Sequence, residues 1–102
     1  MSASLTSQSV ETLAKEIVPT LRFGPHDVLA QALPEYQRRR RDADRAALLG
    51  NAHQGKVNIY FQTADGQTKR VQTTVWAADS GHVTLKAGAT LPLRAVLSFD
   101  FH

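Results

Sequence analysis

The chain contains no cysteine. Disulfides, thiolate-held metals and a cysteine nucleophile are excluded. Aromatic residues are scarce, at 7%, and Trp76 is the single tryptophan. No apolar run approaches the roughly 20 residues of a membrane-spanning helix, so no membrane partner is expected. The opening Met1–Gln8 has neither the basic end nor the apolar stretch of a secretory signal, and a cytoplasmic location is the expectation. A strong excess of one charge is missing too. Twelve Lys/Arg against nine Asp/Glu leave a net charge of +3. That balance permits a nucleic-acid partner without requiring one.

Familiar catalytic signatures are also missing. There is no Walker loop, dinucleotide fingerprint or Gly-x-Ser-x-Gly elbow. His26, His53, His82 and His102 fit no zinc spacing. Asp65 and Asp79 sit in turn contexts, which accounts for them without acid/base chemistry. No cofactor and no metal are expected, and a small enzyme ranks third among the functional readings.

What is present describes one domain over residues 1–102, with 42% hydrophobic and 21% charged residues. Residues 1–8 are polar and Ser-rich, a flexible terminus. Residues 9–50 read as helical. Val10, Leu13, Ala14, Ile17, Val18 and Leu21 recur at helical spacing behind Ser9, an N-cap candidate, and Pro19 should end this helix. Asp27 is a candidate cap for a second helix carrying Val28, Leu29, Ala32 and Leu33. Pro34 then opens a third helix running to Leu49, with Gly50-Asn51 as its stop.

The period changes after Gly55. Val57, Ile59 and Phe61 alternate within 56–62, and Asp65-Gly66 signals a turn. Val71, Thr73 and Val75 point inward from a strand over 68–78, and Val83 and Leu85 from 82–86. Shorter strands at 90–93 and 95–101 complete a sheet over 55–102, with Pro92 marking an edge, a bend or a very short strand. The expected fold is α+β: two or three N-terminal helices, then a four- to five-stranded antiparallel meander, curled or small-barrel-like.

The succession Gly55-Lys-Val-Asn-Ile-Tyr-Phe61, Asp65-Gly66, Thr73-Thr-Val-Trp76, Val83-Thr-Leu85 and Leu91-Pro-Leu-Arg-Ala-Val96 resembles the strand rhythm of Sm-like small barrels. It is also similar to small bacterial domains with a comparable ending. The likeness covers roughly the last 47 residues and consists of apolar positions. It implies a helix followed by five curved strands. Sm-like proteins bind RNA through loop residues, and none of those positions is carried over here.

Two surface features remain. On a helix at 100° per residue, Arg38, Arg41 and Arg45 share one stripe, while Arg39 and Arg40 point elsewhere. Guanidinium groups in such a stripe suit phosphates or an acidic partner. The bland alternative is a solvated helix face, since residues 35–45 sum to only +2. Tyr60 and Trp76 alternate away from the inward set and form a candidate aromatic surface, for a protein partner or for stacking on bases. The alternative for these aromatics is that their face packs on the helices, closes a barrel or forms a dimer. The expected function is non-catalytic binding, to a protein partner or to a second copy. The alternative is an RNA- or DNA-binding module built on the arginine stripe and the aromatics.

Overall fold

The computed structural model describes residues 10–29 and 33–101. The expected flexible terminus 1–8, Ser9, His102 and the middle of the second expected helix (30–32) lie outside the described residues. Among the described residues the chain is α+β, with one main helix, α1 (Leu33–His53), and six strands. They are β1 (Glu11–Leu13), β2 (Lys56–Gln62), β3 (Thr68–Ala78), β4 (His82–Leu85), β5 (Thr90–Pro92) and β6 (Val96–Asp100). The strand order is β5-β4-β3-β2-β6, and β1 adds alongside β3.

The inward set is the one the alternation identifies. Val57, Ile59, Phe61, Val71, Val75, Val83 and Leu85 are fully buried, with Leu91 and Val96 beside them. Each such side chain contributes about 1.5–3 kcal/mol relative to exposure. The turns also follow the sequence. Gly66 has φ 85 in the β2–β3 turn, and Ala87 and Gly88 take φ 73 and 95 between β4 and β5. β5 ends at Pro92 and lies at the edge of the sheet, where a missing N–H does least harm.

Four expectations are corrected. The helix expected from Ser9 to Val18 does not form. Glu11–Leu13 is extended and pairs in parallel with Lys69–Val71, and Lys15–Thr20 is a 3₁₀ turn containing Pro19. The run before Pro19 is short for an α-helix and holds four β-branched residues, Val10, Thr12, Ile17 and Val18. An unpaired stretch of β3 offers it hydrogen bonds instead. Lys69 Nζ donates to Glu11 Oε1 at 2.9 Å, and Arg70 Nε donates to Thr12 Oγ1 at 2.7 Å. Of the expected stripe, Val18 is buried in the core, whereas Ile17 is 44% exposed.

The second helix is not present at its described end. Asp27 does accept a capping bond, from the Leu29 N–H at 2.8 Å, but Val28 and Leu29 form a bend.

The third correction concerns the sheet. It is a meander only through β5. A 3₁₀ turn at Leu93–Ala95 sends β6 back to pair with β2, so five strands follow α1 but the sheet does not close. Val96 and Phe99 on β6 bury against the core from this side, opposite Phe61 and Ile59.

The third helix forms and runs further than expected. Gly50 is not its stop. A Cβ at Gly50 would lie 2.0 Å from the Val75 carbonyl oxygen, so this glycine is where the helix backbone touches β3. The helix ends at His53, and Gln54 takes φ 53 while its hydroxyl-bearing neighbour across the gap, Thr74, donates to the Gln54 carbonyl at 3.3 Å. The buried stripe of α1 is Arg39, Ala43, Ala46 and Gly50, spaced i, i+4, i+7, i+11. Small residues along it let the helix lie close on the sheet.

Gly50→Ala should therefore destabilise the fold by about 1–3 kcal/mol, although alanine has the higher helix propensity. Urea unfolding of the variant checks this: an unchanged or raised midpoint would show that the helix does not sit on β3 as described.

Candidate interaction surface

α1 divides the candidate residues among its flanks. Arg39 faces inward. Its Nη1 donates to Asp27 Oδ1 at 2.9 Å and to the Val96 carbonyl at 3.0 Å, and its Nη2 donates to Asp27 Oδ2 at 2.6 Å. The guanidinium also lies 5.4 Å from the centre of the Tyr36 ring. Arg39 is 8% exposed, so this is a structural arginine joining the 24–29 segment, α1 and β6. The same junction carries two further bonds. The Val28 N–H donates to the Arg94 carbonyl at 2.9 Å, and Arg94 Nε donates to the Gly24 carbonyl at 2.6 Å. Arg40 turns to the other side of the helix and pairs with Asp44 at 3.4 Å.

Arg38, Arg41 and Arg45 are exposed, as the helical spacing predicts. Among the described residues none of the three has a carboxylate within salt-bridge distance. They span about 10 Å of helix. Arg38 borders a cleft of about 510 Å³ between α1 and β6, which Glu35 and Asp42 also line, with Leu97 and Phe99 opposite. Arg45 lies over the Phe101 ring, its Cζ 4.2 Å from the ring centre. Beside it a shallower cleft of about 370 Å³ is lined by Leu48, Leu49, Ala52, His53 and Phe101. Leu48 is 70% exposed. Sequence reasoning passed over Leu48 and Phe101. The signal for Leu48 was its place at i+3 from Arg45, on the polar side of the helix.

The two aromatics are not neighbours. Tyr60 is half-buried opposite Arg70, whose guanidinium lies 5.7 Å from its ring and whose Nη1 donates to the hydroxyl at 3.3 Å. Trp76 stands six residues further along β3, up to roughly 20 Å away at strand rise. Trp76 is 47% exposed, and its carbonyl accepts a bond from Asn51 Nδ2 at 3.4 Å. It therefore adjoins the β3 flank of α1, whereas Arg38 and Arg45 border the β6 flank.

His26, His53 and His82 are exposed on separate elements, and among the described residues no three His, Asp or Glu converge as metal ligands would. Asp65 and Asp79 act in turns: Asp65 accepts from the Thr63 hydroxyl and the Gln67 N–H, and Asp79 from the N–H groups of Gly81 and His82. These bonds hold both carboxyls below their ordinary range. No helix among the described residues is long and apolar enough to cross a membrane. No protein-family model, curated protein or solved structure matches the chain.

The ion pair at the base of the surface has a pH signature. Burial pushes the Asp27 carboxyl up, but bonds from Arg39 and the Leu29 N–H, with the Arg39 charge, outweigh it and hold the carboxyl low. A carboxyl depressed by folding stabilises the fold above its unfolded pKa, and that contribution is lost as pH falls through the folded value. Asp27→Asn should lower the urea midpoint near neutral pH and shrink the loss seen between about pH 7 and about pH 3. Equal acid sensitivity in both proteins would place the acid-labile stability in other carboxylates.

Proposed function

We propose that this is a non-catalytic interaction protein that binds a protein partner or a second copy of itself, with Trp76 as an anchor. The observation that supports it is the tryptophan's exposure. Phe61, Ile59, Val57, Val71, Val75, Val83 and Leu85 of the sheet are fully buried, yet the largest apolar side chain in the chain is left 47% accessible. Burying a rigid aromatic of this size contributes more to an interface than burying most other side chains. The neighbouring Asn51 amide holds the backbone of Trp76 to the helix, so the indole is presented from a tethered position.

The nucleic-acid reading retains the exposed arginines as its support. It asks for arginines neutralising phosphates next to aromatics that stack on bases. Here the arginines border one flank of α1, Trp76 adjoins the other, and Tyr60 is half-buried beside Arg70. A single strand would have to cross the helix to use both features. Protein binding needs only one of them.

Because Trp76 is the single tryptophan, its fluorescence reports this surface alone. The expected result is a mass that rises with concentration in light scattering, or capture of a distinct protein, with the indole becoming shielded from acrylamide on association. Trp76→Ser should abolish the association and leave the thermal midpoint near that of the parent. A protein that stays monomeric with a freely quenched indole, and whose Trp76→Ser variant captures the same proteins as the parent, would overturn the proposal.

A further inference from the structure

The outer face of α1 carries a second surface, independent of Trp76 but resting on the same protein-binding reading. Arg38, Arg41, Arg45, Leu48 and Ala52 follow one another at intervals of three, four, three and four residues. At 100° per residue they form one continuous stripe on the side of the helix away from Arg39, Ala43, Ala46 and Gly50. The first three positions are cationic, exposed and without a carboxylate partner among the described residues. The last two are apolar and line the cleft beside Phe101. The stripe runs about 20 Å and changes from charge to apolar surface along its length.

We infer that this stripe docks an acidic protein segment that carries a large apolar side chain at one end. Its carboxylates would pair with Arg38, Arg41 and Arg45, and its apolar residue would fill the cleft between Leu48, Leu49 and Phe101. Charge complementarity chooses the first half of this occupant. Arg45 is held over the Phe101 ring at 4.2 Å, so its fork is pre-positioned where the charged and apolar parts meet. The apolar end selects protein over nucleic acid. Leu48, at 70% exposed, and Ala52 after it on the stripe offer aliphatic contact and no charge for a phosphate.

The test is fluorescence anisotropy with a labelled synthetic peptide, Asp-Glu-Ser-Asp-Glu-Ser-Leu-Phe, acidic along its length and apolar at one end, titrated with the full chain near physiological salt. Its comparators are the same peptide with Ser for each Leu and Phe, and a labelled single-stranded oligouridine RNA. The acidic-apolar peptide should bind most tightly. Substituting Arg38→Gln, Arg41→Gln and Arg45→Gln together should weaken it about tenfold. Leu48→Ser should weaken it about threefold to tenfold, as should the serine peptide. Arg45 contacts Phe101, so the Arg38→Gln, Arg41→Gln pair, which leaves that contact alone, should show an intermediate loss. Trp76→Ser should bind the peptide like the parent, which separates a failure here from a failure at the tryptophan. Peptide affinity that is absent, or indifferent to the arginines or to Leu48, would overturn the inference. So would RNA binding that is tighter than peptide binding, lost in the triple variant and kept in Leu48→Ser.

Discussion

The Arg39 guanidinium is the junction on which the arrangement depends. One side chain on α1 binds a carboxylate from the 24–29 segment with both terminal nitrogens and a backbone carbonyl at the start of β6. A planar fork can hold three chain segments in this way, and a lysine ammonium lacks that geometry. Burying the charge is tolerable because Asp27 neutralises it, and removing either partner alone would leave the other uncompensated. With Arg39 held there, the rest of the arginine run has its direction set. Arg40 goes to Asp44, and Arg38, Arg41 and Arg45 go to solvent.

The second constraint is the approach of α1 to β3 at Gly50. Small residues along the inner stripe bring the helix backbone against the Val75 carbonyl. The C-terminal part of α1 is thereby placed between Trp76 on one flank and Phe101 on the other. Two exposed surfaces of different character result from this one packing contact. One is a half-exposed tryptophan on a strand. The other is a helix stripe that turns from cationic to apolar.

β2 and β3 were legible because the inner face of each is buried, and such a strand shows its period directly in Val57/Ile59/Phe61 and Val71/Thr73/Val75. The third helix was legible from Pro34 and its length. The N-terminal stripe misled because Val10, Leu13, Ile17 and Val18 have helical spacing, yet the unpaired part of β3 captured the backbone. Local periodicity carries no information about a vacant sheet edge. Gly50 misled for a related reason: a helical glycine reads as a stop unless the strand it touches is known. The candidate arginines were legible as a stripe, but not their separation from Trp76 or the role of Arg39. That arginine's partners are 12 and 57 residues away in the chain.

The sequence alone determined the composition of the surfaces: three arginines on one helical stripe, one tryptophan on the outer side of a strand, and no cysteine. It also determined the inward set of β2 and β4 and most of that of β3, because side-chain alternation is a property of the extended backbone itself. Tertiary structure decided which strand β6 pairs with, whether residues 11–13 are helix or strand, and which arginine is buried. Those outcomes depend on hydrogen bonds and ion pairs between distant segments. Their free energy exists only once the partners meet, so no local pattern records it.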